Sequence, residues 1–265
     1  MKVPHKLDTG KRRLQSLIAG CAPTIPALPL VHTTDTYTLT DIMDDGQLRP
    51  VPCDVYTPEN LIYLFYGKPS FRPNIDSEPL SLHHYFPICM IFKPSLMKEI
   101  RRVLPFDSGA FGLGLYGPYL HKEMKLGDFL LEPDPATPGR IITKFFDSAK
   151  SYLQGQPDTV LNVDPSEFEA ESLAALYAAK HSNLLDSRNS SIEIQIDKAI
   201  DITDQLIATI MPEVFASGKV GKHLRLHKID VIPYPIMGRS RPIEYMGTIH
   251  QILMSYYLDK GIIGV

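Results

Sequence analysis

Three side chains stand out for the chemistry their types allow. An imidazole sits in "LVHTTD" as His32, a phenol in "LIYLFYGKPSFRP" as Tyr66, and a carboxylate in "SSIEIQ" as Glu193. His32 closes a short apolar run and is followed by Thr33 and Thr34. A ring donor at a strand end is aimed by a rigid backbone, which is what a binding cleft requires. Glu193 alternates with Ile192 and Ile194 in a period-2 pattern that places Glu193, Gln195 and Asp197 on the solvent side of a strand. Each residue also has a structural explanation: a satisfied core histidine, a core aromatic, and an exposed carboxylate on an alternating strand.

Other motifs narrow the field. Gly112, Gly114 and Gly117 satisfy G-x-G-x-x-G, but Pro118 follows at once, so no helix N-terminus is on offer to receive a pyrophosphate. These glycines read as a packed or flexible loop. His83 and His84 lie near Cys89, yet adjacent side chains on a strand point to opposite faces and no second ligand pair has zinc-like spacing. Metal binding is not expected there. The sequence contains no G-x-S-x-G elbow, no P-loop and no H-E-x-x-H, which removes the commonest hydrolase and nucleotidase signatures. The run "GKVGKHLRLHK", with Lys219, Lys222, Arg225 and Lys228, reads as a solvated strand edge or as a surface for nucleic acid.

The elements that must position these groups follow from periodicity and punctuation. "KRRLQSLIAG" has helical spacing up to Gly20, and "LPLVHTT" is a short buried strand. "TLTDIMDDGQLRP" puts Leu39, Ile42 and Met43 on one helix face, with Thr38 or Thr40 as cap and Gly46 as stop. "NLIYLFYG" and "YFPICMIFKP" are strands, the second with Pro87 at its start or on an edge. "SLMKEIRRVLP" has helical spacing at Leu96, Ile100 and Val103, and the segment from Pro165 to His181 is a helix with acidic residues in its first turn. "ITDQLIATIMPEVFAS" reads as a helix broken at Pro212, "HLRLHKIDVIPYPI" as strand, and "EYMGTIHQILMSYYLDKG" as a closing helix. Short strands with irregularly placed helices and long loops favour an α+β fold over a regular βαβ winding.

The 265 residues, 44% hydrophobic, suffice for one large domain or two small ones. A net charge of -3 gives no bulk signal for duplex nucleic acid or an anionic membrane. Cys21, Cys53 and Cys89 are odd in number and far apart, which fits ordinary thiols in a reducing cytoplasm. The apolar stretches of the N-terminal segment are too short for a signal peptide or a membrane span, so a soluble cytoplasmic protein without membrane partners is expected. The 23 prolines are scattered and imply interrupted strands and many loops.

The order of the three patches resembles the ADP-ribosyltransferase superfamily in its H-Y-E form. "LVHTTDTYTLTDIMDDGQLRP" is similar to the opening strand that ends in a histidine, "LFYGKPSFRP" to the aromatic strand of the DarT-like DNA-modifying bacterial toxins, and "DSRNSSIEIQI" to the late strand that presents the glutamate. The likeness covers about a fifth of the chain. Two departures accompany it: the region from about 86 to 164 is long for a minimal core, and Ser191 stands two residues before Glu193, where many protein-modifying relatives carry Glu or Gln.

That resemblance implies a single domain over 1–265 with a split β-sheet core and flanking helices. It adds an N-terminal helix and extended leader over 1–27, and a mid-chain insertion over about 86–164. It implies NAD as substrate, cleaved between nicotinamide and ribose through an oxocarbenium-like transition state. Glu193 would stabilise that charge. His32, with Thr33 or Thr34, would hold a ribose hydroxyl, Tyr66 would stack on nicotinamide, and Lys68, Arg72 or Arg188 would meet the pyrophosphate. The implied activity is transfer of ADP-ribose to a macromolecule, nucleic acid favoured slightly over protein, by a bacterial toxin or defence effector with an antitoxin or regulatory partner. The alternatives are an NAD glycohydrolase on the same fold and a non-catalytic α+β binding protein.

Overall fold

The structure, a computed structural model, describes residues 12–70, 83–158, 161–179, 187–238 and 240–264. In chain order the first strands and helices are α1 (Arg13–Ala19), β1 (Leu30–Asp35), α2 (Thr36–Asp45), β2 (Gln47–Leu48), β3 (Val51–Pro52), β4 (Asn60–Tyr66), β5 (Pro87–Phe92) and β6 (Arg102–Leu104). Next come α3 (Ser108–Gly112), α4 (Thr137–Phe145), α5 (Ala149–Leu153), α6 (Phe168–Ala178) and β7 (Glu193–Ile196). The chain ends through β8 (Ile200–Asp201), α7 (Ile202–Gln205), β9 (Leu206–Pro212), α8 (Glu213–Ser217), α9 (Lys219–Leu226), β10 (Asp230–Tyr234) and α10 (Tyr245–Asp259). This mixture of helices and strands is α+β, as the pattern of short strands and irregular helices implies.

The residues cluster into two compact units, each assembled from three stretches of chain. The first comprises 1–28, 51–66 and 97–197, and the second 29–50, 67–96 and 198–265. The expected insertion over 86–164 is divided between them, and it supplies ordered strands to both: β5 to the second unit and β6 to the first.

In the first unit β7 pairs antiparallel with β4 on one side and with β6 on the other, and β3 extends β4. Tyr152 fixes the junction of β4 and β7: its buried hydroxyl donates to the Tyr66 carbonyl at 2.8 Å and accepts from the Ile192 N–H at 3.1 Å. Leu14 and Ile18 of α1, Ile141, Ile142 and Phe145 of α4, and Leu173, Leu176 and Tyr177 of α6 are buried, which gives the strands their apolar support. Phe168, at the start of α6, is half exposed and outside that core.

In the second unit β5 pairs antiparallel with β1 and β9, and β10 joins β9 in parallel. Buried Ile249, Leu253 and Tyr257 give α10 its inner face. Asp35, not Thr38 or Thr40, caps α2 by accepting the Thr38 N–H at 2.7 Å, and Gly46 ends that helix in the left-handed region at φ 68.

Four expectations change. Residues 206–212 form strand β9 instead of helix, because Ala208, Thr209, Ile210 and Met211 are all buried and a strand covered on both faces loses its alternating signature. Residues 219–226 form helix α9, with strand beginning only at Asp230. "SLMKEIRRVLP" splits into a short 3-10 turn over Pro94–Glu99 and strand β6. Finally, β7 is buried on both faces: Glu193 is 1% exposed and Gln195 0%, so neither faces solvent. The turn at Ser108, whose hydroxyl and N–H reach the Glu193 carboxyl, covers that side. Of the helix expected up to His181, residues 180 and 181 lie outside the described residues.

Candidate active site around Glu193

The register of the first unit decides which side chains meet. Phe65 lies opposite Glu193, Leu64 opposite Ile194 and Tyr63 opposite Gln195. Opposed residues of an antiparallel pair project from the same face, and neighbours along a strand from opposite faces. Glu193, Gln195, Tyr63 and Phe65 therefore share a face, whereas Tyr66 falls on the other with Leu64 and Ile62.

Both oxygens of Glu193 are held. Oε1 accepts from Ser108 Oγ at 2.8 Å and from Gln195 Nε2 at 2.6 Å, and Oε2 accepts from the Ser108 backbone N–H at 2.7 Å. Ser108 is the first residue of α3, whose cap Asp107 accepts the Ala110 N–H at 2.8 Å. Phe106 stacks on Phe111 and meets Tyr116 edge-on and Phe129 at a tilt, and this aromatic cluster anchors the turn. Burial foremost, and then the Asp107 carboxylate, push the Glu193 carboxyl up to about 8, while the Ser108 and Gln195 donors pull against them. The group thus holds a proton at neutral pH and ionises just above it.

Behind Gln195 a second layer of polar contacts locks its orientation. Arg102 Nη1 donates to Gln195 Oε1 at 3.2 Å and to Glu59 Oε2 at 2.9 Å, and Nη2 donates to Glu59 Oε1 at 2.6 Å. The Arg102 guanidinium lies over the Tyr56 ring at 4.3 Å. The hydrogen bonds from Arg102, and then from Arg101, hold the Glu59 carboxyl below its usual range, with their charge adding to the effect. Tyr63 Oη and Cys53 Sγ are 2.5 Å apart, and burial raises the phenols of Tyr56 and Tyr63, keeping both neutral.

The remaining sequence-expected residues fall as follows. Tyr66 is 1% exposed and its hydroxyl accepts the Leu28 N–H at 2.9 Å, so its ring has no open face for nicotinamide. Tyr66 and Glu193 consequently do not line a common pocket. His32, Thr33 and Thr34 belong to β1 of the second unit; His32 is half-buried in register with Met90, and Thr33 Oγ1 is buried without a hydrogen-bond partner. Lys68, also of the second unit, is 1% exposed, and burial pushes its amine down to about 7, which removes it from the surface a pyrophosphate would meet. Arg188 is half-buried on the 3-10 turn Ser187–Ser190 of the first unit, where its carbonyl accepts the Tyr116 hydroxyl at 3.1 Å. Arg72 lies outside the described residues.

If Tyr66 is a framework residue, Tyr66→Phe should cost about 1 kcal/mol of stability through the unpaired Leu28 N–H. It should leave NAD affinity unchanged, as read by denaturant titration and calorimetry.

The sequence pointed to Glu193 but not to its partners. The E-x-Q spacing places Gln195 on the same strand face and was legible. Ser108 and Arg102 were not, because they meet β7 across long stretches of chain. Elsewhere in the first unit a cavity of about 440 Å³ is lined by Arg13, His121, Met124, Phe168, Glu169 and Ser172, among others. Arg13 already occupies its acidic side by a two-point ion pair with Glu169. Among the described residues, no group of three or more His, Cys, Asp or Glu side chains is placed to hold a metal ion, and no helix is long and apolar enough to cross a membrane. No protein-family model matches the sequence, and no curated protein matches it.

Proposed function

We propose that the chain cleaves the nicotinamide–ribose bond of NAD and passes ADP-ribose to a macromolecular acceptor, with Glu193 as the residue that meets the developing charge. The observation that carries this reading is the Glu193 carboxyl itself, borne on a strand paired on both edges and held at Oε1 by Gln195, contacts that stay in place when Ser108 gives way. It stands in the segment whose resemblance assigns it that task. A carboxyl fixed in this way needs little reorganisation when positive charge appears on the ribose. In the reaction the C1′–N bond breaks with its electron pair going to nicotinamide. The acceptor's nucleophile then bonds C1′ and gives up its proton.

Two features refine the roles. Tyr63, on the face of Glu193, takes the ring-stacking part that the resemblance implies for Tyr66. Ser108 must withdraw for substrate to reach the carboxyl, because its hydroxyl and N–H occupy the positions that ribose hydroxyls would take.

A second reading is favoured by the burial of Glu193: the carboxyl pins α3 to β7 and takes part in no reaction. Incubating the pure chain with NAD labelled in the nicotinamide and in the adenine, with and without cell extract, separates the two. Release of nicotinamide together with label on an acceptor supports transfer. Free ADP-ribose alone indicates hydrolysis, and intact NAD under all conditions leaves Glu193 a structural residue.

A further inference from the structure

Helix α9 carries His223, and His227 is its C-cap residue, four positions on. The cap keeps near-helical angles of φ -89 and ψ 13, and its N–H donates to the Leu224 carbonyl at 3.1 Å, so the two imidazoles stay on adjacent turns of one face. Their ring centroids are 4.8 Å apart at an interplanar angle of 52°. Both are exposed, and among the described residues no hydrogen bond holds either ring. We propose that His223 and His227 form a two-imidazole clip for a borderline divalent transition metal such as Ni2+, Cu2+ or Zn2+, with water completing the coordination sphere.

The backbone is built to keep this spacing. A methyl group at Gly221 would stand 2.0 Å from the Ala216 carbonyl oxygen, so α9 lies directly against α8 at that point and has no room to rotate. Past the helix, Lys228 adopts φ 61, in the left-handed region that non-glycine residues seldom take. The N–H groups of Lys228 and Ile229 return to the Arg225 and Leu224 carbonyls at 3.0 and 3.1 Å, closing the helix end beneath His227.

The surroundings select the class of ion. Lys219, Lys222, Arg225 and Lys228 are all exposed around the pair, and the stretch from 214 to 229 contains no carboxylate. Mg2+ and Ca2+, which need oxygen ligands and negative charge, find neither. Metals with high affinity for imidazole nitrogen bind by donor strength in spite of nearby positive charge, in the order the first-row series gives, with Cu2+ above Ni2+ and Zn2+.

The test is a calorimetric titration of the EDTA-stripped full chain with Ni2+ in a non-chelating buffer at neutral to slightly alkaline pH. The expected result is one Ni2+ per chain, released by EDTA, with no heat from Mg2+. His223→Ala and His227→Ala should each weaken binding roughly tenfold or more, while His83→Ala leaves it unchanged. Both substituted rings are exposed, so circular dichroism should show an intact fold. Absence of Ni2+ binding to the wild-type chain, or equal binding by the His223→Ala/His227→Ala double variant, overturns the clip. The measurement involves no NAD, so its outcome is separate from that of the transferase reading.

Discussion

Glu193→Gln is expected to abolish release of nicotinamide from NAD, by ~10²-fold or more, while the protein stays folded. The amide has the size and shape of the protonated acid that burial favours at neutral pH. Its oxygen can still accept the Ser108 N–H and its NH2 can donate to the Ser108 hydroxyl, so the grip on α3 is largely kept, while the Gln195 contact at Oε1 is lost. What the amide cannot do is ionise. A charge-stabilising role requires the carboxylate, and with the group pushed up to about 8 the anionic fraction grows as pH rises through that value. The wild-type rate should therefore climb between about pH 7 and pH 9, and the small residual rate of the variant should not. Nicotinamide release followed across that range checks both statements. A variant that turned over NAD at the wild-type rate would remove Glu193 from the chemistry.

The contrast between Tyr66 and Tyr63 shows what sequence could and could not give. "NLIYLFYG" was readable as a strand because a β-rich apolar run is bounded by Asn60 and Gly67. Strand register was not readable, since it depends on which residue of β7 stands opposite Phe65, and a shift of one position exchanges the faces. The same limit explains Glu193. Its alternation with isoleucines marked a strand correctly, but the inference that the polar side faces water holds only for a strand covered on one face. The Ser108 turn, which reaches the Glu193 carboxyl, supplies the second cover.

Helices α2, α6 and α10 were legible because each has an apolar stripe or clear end signals. α9 was mistaken for strand because "HLRL" alternates over four residues, too short a window to separate the two periods. Ser108 illustrates the deeper difficulty. In the glycine-rich stretch that starts "FDSG", Asp107 caps the short helix α3, but nothing local says that the next residue will bind a carboxylate 85 positions later. Such pairings are set by tertiary packing. They leave no periodic trace.

The largest effect expected on stability also comes from Glu193, through pH. Its folded-state carboxyl is raised, mainly by burial, from an ordinary value of 4.5 to about 8. A group shifted upward stabilises the fold fully below its unfolded value and loses that contribution as pH rises through the folded one. In that window each pH unit removes up to about 1.4 kcal/mol, because unfolding frees a carboxyl that ionises readily in water. Glu59 works in the opposite sense: Arg102 and Arg101 hold it below its usual range, so its contribution is present at neutral pH and fades toward acid. The raw stability profile mixes these two with other shifted groups, the buried Lys68 amine among them. Comparing wild type with Glu193→Gln cancels Glu59, which both proteins retain. The difference should shift steadily in favour of the variant between pH 5 and about pH 8 and level off above it, as read by urea unfolding at each pH. Parallel profiles would mean that the carboxyl ionises as easily in the folded chain as in the unfolded one. The burial that the Ser108 turn imposes on it would then be absent.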